Sequence, residues 1–172
     1  MDTAMIAYLP IDGSWCKQDL PHMTLVYAGD ISELNESDLN AMAKDAISAA
    51  RITGSFMLPV QGVEQLGEGI DAVDALVFHP TPQLLVARSL VAKWNKSQYT
   101  DFKPHATIGP VGSAFAERVS YSDEKYSPYG EDVPDNYGLR NDKGTLPDRL
   151  RFNRIGVFWG DKKLIFDTNM MY

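Results

Sequence analysis

The stretch Pro21-His22-Met23-Thr24-Leu25 is repeated in the second half of the chain as Pro104-His105-Ala106-Thr107-Ile108. Each copy opens an apolar run that stops at a glycine, Gly29 in the first and Gly109 in the second. Such runs predict strands, and in a strand residues i and i+2 project from one face about 7 Å apart. Each copy can therefore present an imidazole and a hydroxyl to one small ligand. Two of the three histidines are used this way, with a proline before and a Leu or Ile after, so the repeat is far more specific than a single His-x-Thr. The competing interpretation is a pair of packing histidines capped by local threonines.

The residue types suit phosphodiester chemistry. Imidazole titrates near pH 6.5 when unperturbed, so one histidine can take a proton while a charged partner gives one to a departing oxygen. A threonine hydroxyl can donate to a non-bridging phosphoryl oxygen and hold the charge that develops there. His22, Thr24, His105 and Thr107 are thus the candidate catalytic residues, with no metal and no other cofactor expected.

These motifs resemble those of the 2H phosphoesterase superfamily, which is named for two His-x-Thr/Ser motifs. That superfamily includes 2'-5' RNA ligase-like proteins, cyclic phosphodiesterases and the phage anti-CBASS nucleases. The segment from His22 to Ile31 is similar to the first motif of that family, which continues into a turn and an amphipathic helix. The resemblance implies a bilobal α+β fold in which two pseudo-symmetric, mainly antiparallel sheets with flanking helices border a central cleft. It also implies one His-x-Thr per lobe. RNA ligase-like members usually carry an arginine shortly after the second motif, whereas Ile108-Gly109-Pro110 follows here.

A walk along the chain agrees with two similar halves. Ala4 to Ile11 predicts a buried strand, and Leu39, Met42, Ala43, Ala46, Ile47 and Ala50 recur at helical spacing, so a helix is expected near 36–51 with Asn35 or Ser37 as N-cap and Gly54 as its end. Phe56 to Leu66 and Val73 to Phe78 predict strands, and Thr81-Pro82 predicts a second helix start. Leu84, Ala87, Val91 and Trp94 form its stripe. Arg154 to Asp167 predicts a hairpin turning at Gly160-Asp161. Residues 113–149 hold eight acidic and five basic residues, four tyrosines and little periodicity, which predicts an irregular insertion within one domain spanning 1–172. That insertion is either a solvated excursion or a lid over the substrate.

Composition narrows the partners. A net charge of −7 and a pI near 4.9 argue against duplex nucleic acid, whose non-specific binding rests on cationic neutralisation of phosphates. No apolar stretch is long enough to span a membrane, and the single cysteine, Cys16, permits no internal disulfide, so a cytoplasmic protein with a buried thiol is expected. His79, at a strand end before Pro80, is expected to be a solvent-exposed terminus. The glycines at Gly67 and Gly69 precede a strand and not a helix, which argues against a dinucleotide-binding loop.

Tyr8, Trp15, Tyr27 and Trp159 are candidates for stacking on a nucleobase, with Tyr8 and Trp15 favoured because they sit before the first motif. Lys103 is a candidate for a positive charge near the phosphate. Three functions are compatible with these features: a phosphodiesterase, a non-catalytic nucleotide sponge on the same fold, and an assembly protein whose histidines only pack. Two intact acid/base pairs favour the first. The missing arginine and the acidic balance favour a small nucleotide, and the family resemblance points to a cyclic oligonucleotide immune signal, with 2',3'-cyclic phosphates as the alternative. The sequence leaves the oligomeric state open.

Overall fold

The computed structural model describes residues 2–97, 101–114, 140–141 and 144–169. In chain order the elements are strands β1 (Thr3–Pro10) and β2 (Met23–Asp30), helix α1 (Glu36–Thr53), strands β3 (Phe56–Leu66) and β4 (Val73–Phe78), helix α2 (Pro82–Val91) and strand β5 (His105–Pro110). The short pair β6 (Arg140–Asn141) and β7 (Gly144–Thr145) follows, then β8 (Arg149–Trp159) and β9 (Lys162–Asp167). The helix boundaries are set locally. Asn35 and Asp38 form a reciprocal capping box, and Gly54, at φ 56°, ends α1 where a side chain would be strained. Thr81 caps α2 and Pro82 occupies its first turn, where no backbone N–H is needed.

The strands β2-β1-β8-β3-β4-β5 form one antiparallel path, with β9 added to β8. This order reads almost the same from either end. The central strands β3 and β8 pair through Phe56–Pro59 and Phe152–Arg149 and then diverge. Val60–Leu66 of β3 joins β4, while Phe152–Trp159 of β8 joins β1. The two expected sheets are therefore continuous, joined through β3 and β8. An aromatic cluster sits at that junction: Phe56 stacks on Phe152 at 5.3 Å between centroids, and Tyr8 and Phe78 meet these rings edge-on. Such pairs contribute about 0.5–1.5 kcal/mol each beyond their burial.

β1 is covered on both faces, which is why it reads as an unbroken apolar run. Ala4, Ile6 and Tyr8 enter the main core, to which α1 contributes Met42, Ala46, Ala49 and Ala50 and α2 contributes Leu84, Ala87 and Val91. Met5, Ala7 and Leu9 turn the other way and pack with Phe158 and Leu20. The helices pack on each other, and Asp45 of α1 accepts the indole N–H of Trp94 at 2.8 Å.

Most of the expected insertion lies outside the described residues. At its near end Ser113 and Ala114 are buried, because Asp74 of β4 accepts the backbone N–H groups of Gly112 and Ala114 at 2.8 and 3.1 Å. At its far end Leu146 and Leu150 are core residues. No helix among the described residues is long and apolar enough to cross a membrane.

Candidate active site

The two motif strands, β2 and β5, occupy opposite ends of the sheet path, yet they contact each other. The segment leading into each motif fastens to the other motif strand. The backbone N–H of Lys17 donates to the Ile108 carbonyl, and that of Lys96 donates to the Tyr27 carbonyl, both at 2.8 Å. A third tie comes from the buried Cys16, whose thiol donates to the Thr107 carbonyl at 3.3 Å. The cysteine is structural.

The motifs match in detail. His22 and His105 are half-buried, as are Thr24 and Thr107, while the residues between them, Met23 and Ala106, are fully buried. Thr24 stands opposite Ala7 and Thr107 opposite Ala75, two small neighbours that leave the hydroxyls uncrowded. In each strand the pairing then skips one residue, Leu25 in β2 and Ile108 in β5. These bulges sink both side chains into the core, which accounts for the shared Leu or Ile in the sequence.

The shared proline also has a physical account. A residue before proline is held extended, and in both motifs the carbonyl of that residue accepts the Nδ1 hydrogen of the histidine two places on. The distances are 2.7 Å from His22 to Leu20 and 2.8 Å from His105 to Lys103. A carbonyl only accepts, so Nδ1 carries hydrogen in both charge states and Nε2 is the atom that exchanges protons. The sequence contained the signal, the repeated Pro-His, but not the orienting bond. On the first side Gly13 packs so tightly on Pro21 that an added Cβ would lie 2.4 Å from the ring.

Burial governs the electrostatics of His22. Burial disfavours the charged form of His22 and pushes its pKa below the usual value; the bond to the Leu20 carbonyl works against this, and the charge of His105 adds to the depression. The depression favours the neutral form of His22, which lies within electrostatic reach of His105. Among the described residues Thr24 donates its hydroxyl to the Met5 sulfur at 3.7 Å, a weak tie that a phosphoryl oxygen would outcompete.

A cavity of about 480 Å³ opens beside these residues, with Thr24, Tyr27, Arg88, Phe102, Lys103 and His105 among its walls. His22 and Thr107 lie outside its lining. Tyr27 is 44 % exposed and lines this cavity. Lys103 reaches the same wall but is paired with Glu64, so its charge is already compensated.

Three stacking candidates are elsewhere. Tyr8 is fully buried, its hydroxyl within 2.9 Å of Thr53 Oγ1 and its ring against Phe56, because even-numbered β1 residues face the helices. Trp15, 2 % exposed, donates its indole N–H to the Asp12 carbonyl and belongs to the main core. Trp159 pairs with Ala4, roughly 10 Å along β1 from the Ala7 that faces Thr24, and packs against the core. Arg88 and Phe102, by contrast, carried no recognisable sequence signal yet line the cavity. Among the described residues no group of three or more metal-ligating side chains occurs.

The chain has an antiparallel α+β fold like that of the 2H phosphoesterases. The likeness is to solved structures. Usb1 of Kluyveromyces marxianus superimposes with a TM-score of 0.59 at 11 % identity, covering 96 % of this chain and 98 % of that one. Usb1 with uridine monophosphate gives 0.52 at 16 % identity over 93 % and 81 % of the two chains. E. coli LigT complexed with NADP+ gives 0.52 at 13 % identity over 96 % and 94 %. No protein-family model and no curated protein matches the sequence.

Proposed function

We propose that this protein is a metal-independent phosphodiesterase acting on a small nucleotide whose ribose 2'-hydroxyl adjoins the scissile phosphate. The observation that carries the reading is the matched pair of imidazoles, each with Nδ1 engaged by a carbonyl and Nε2 left to exchange a proton. Neutral His22 takes the 2'-hydroxyl proton at Nε2, and the freed oxygen attacks phosphorus. The phosphorus–5'-oxygen bond breaks as His105 delivers its Nε2 proton to the leaving oxygen. Thr24 and Thr107 donate to the non-bridging oxygens as negative charge builds. The products are a 2',3'-cyclic phosphate and a free 5'-hydroxyl. His22 is then charged and His105 neutral, the arrangement needed for water to open the cyclic phosphate in a second turnover.

The nucleotides held by Usb1 and LigT support a small nucleotide substrate. For the substrate itself we favour a cyclic oligonucleotide of the kind the phage anti-CBASS nucleases degrade, with 2',3'-cyclic mononucleotides as the second reading. The test is turnover of a panel of cyclic di- and trinucleotides, each paired with an analogue lacking the 2'-hydroxyl at the scissile position. The ribo compounds should be linearised and the deoxy analogues should bind but resist. Cleavage of both at one rate would sink the mechanism. Turnover of 2',3'-cyclic mononucleotides alone would select the second reading, and no turnover of any compound would leave a nucleotide-binding sponge.

A further inference from the structure

We propose that Arg149, Arg151 and Arg154 of β8 form a track that holds further phosphates of an oligonucleotide substrate, beyond the phosphodiester that is cut. The placement of the cut bond beside this track rests on the phosphodiesterase reading. All three arginines are exposed, while Leu150, Phe152 and Ile155 between and beside them are buried in the main core. Alternation alone would turn Arg154 inward, because it lies three residues after Arg151. A bulge prevents this. Leu9 of β1 pairs with Arg154 and Pro10 with Phe152, so Asn153 is the extra residue and all three guanidinium groups leave the sheet on one side.

That side carries the first motif. Thr24 pairs with Ala7, and Ala7 with Gly156, two residues along β8 from Arg154. Leu9, the partner of Arg154, packs with Met5 and Ala7 on the same side of β1. Tyr8 pairs with Met23, so His22 lies level with Leu9, and Arg154 stands two strands from it, about 10 Å across the sheet. Arg151 and Arg149 continue the row over the β3–β8 junction, opposite Met57 and Pro59 and on the reverse of the stacked Phe56 and Phe152.

Among the described residues no carboxylate pairs with any of the three arginines. Asp167 stands opposite Arg154 on β9, and its carboxylate accepts the Asn169 N–H at 2.8 Å. In a chain of net charge −7 the row is a local excess of positive charge. Side chains two apart on a strand are about 7 Å apart, within the Debye length at physiological salt, so neighbouring guanidinium groups repel and a bound polyanion relieves the cost. The groups stand in a line and do not converge on one point, which suits successive phosphates over a single anion. Each guanidinium fork matches a pair of phosphate oxygens. The ligand chemistry is thus a second phosphodiester, carried by a linear strand or by a ring.

The test uses linear di-, tri- and tetranucleotides of deoxyadenosine and of thymidine without terminal phosphates, which lack the attacking 2'-hydroxyl. They are titrated calorimetrically into the full chain at several salt concentrations. In the wild type, affinity should rise several-fold with the second phosphodiester, and the slope of log K against log salt should steepen by about 0.7 for each phosphate held. That measurement does not depend on any variant's folding. Arg151→Gln and Arg154→Gln should each bring the trinucleotide-to-dinucleotide affinity ratio toward one and remove about 0.7 from the slope. A cyclic dinucleotide of deoxyadenosine carries as many phosphodiesters as the linear trinucleotide; tighter binding of the ring assigns the second phosphate to a cyclic substrate, and tighter binding of the linear form assigns it to a strand. Affinity and slope that ignore phosphate number would overturn the track, as would a length dependence unchanged when all three arginines are replaced by glutamine. Turnover of the matching ribo-oligonucleotides without length dependence would remove the track and leave the proposed function standing; arginine-dependent binding without turnover would do the reverse.

Discussion

His22→Asn separates the proton transfer proposed for this imidazole from its structural role. The asparagine amide nitrogen falls near the position of Nδ1 and can keep donating to the Leu20 carbonyl, a bond of 2.7 Å in the native protein. Nothing then occupies the Nε2 position. Loss of a positioned base lowers turnover by roughly 10²- to 10⁴-fold, or about 3 to 5 kcal/mol of transition-state stabilisation. The profile of kcat/KM against pH should change with it. The wild-type acid limb reports the group that must be neutral, and burial of His22 places that limb below pH 6.5, the unperturbed value. In His22→Asn the acid limb should vanish while the basic limb, which belongs to the coupled pair through His105, survives. Stability supplies an independent readout. A histidine whose folded pKa is depressed binds protons less readily folded than unfolded, so its contribution is present above about pH 6.5 and is lost as pH falls toward the folded value. His22→Asn should therefore reduce the loss of Tm between pH 7.5 and pH 5. The variant is checked by circular dichroism and by thermal unfolding at both values. A folded His22→Asn with turnover within tenfold of wild type and an intact acid limb would refute the assignment of His22 as base.

Thr24→Val and Thr107→Val should each lower kcat roughly tenfold or more while leaving both limbs of the pH profile in place, and wild-type rates in either would remove the hydroxyl from transition-state stabilisation. Activity should persist in excess EDTA; a loss restored by Mg²⁺ or Zn²⁺ would mean that a metal and not the threonines holds the phosphoryl charge. Tyr8→Phe should lower stability by about 1 kcal/mol through the lost contact with Thr53 and leave turnover unchanged, whereas a selective fall in activity would return Tyr8 to the substrate. Burial also pushes the Tyr8 phenol up to about 12, so the wild type should lose more stability than Tyr8→Phe as pH rises above about 10. Phe152→Ala, which empties a fully buried position touching three other rings, should cost about 3–5 kcal/mol by denaturant unfolding, and a change under 1 kcal/mol would show that the β3–β8 junction is not held by its aromatic cluster.

Local chemistry made much of this protein legible from its residues. Asn35 with Asp38, Gly54 and Thr81-Pro82 act on backbone groups within one helical turn, so the helix ends fall where those residues stand. The i, i+2 geometry of a strand likewise put His22 with Thr24 and His105 with Thr107 before any tertiary contact was known. What periodicity cannot express is whether a given face is covered. Tyr8 and Trp15 are aromatic residues beside a motif in either case, and only the packing of α1 and of the loop from Asp12 onward turns them inward. The same holds for charge. Lys103 is a free cation in the sequence and a partner of Glu64 in the fold, while Arg88, one more polar residue on a helix, becomes a cavity wall. Proton affinity belongs to this second category too. The two motifs are nearly identical as sequence, but desolvation depends on the surrounding atoms, and burial in the folded chain is what drives the His22 pKa down.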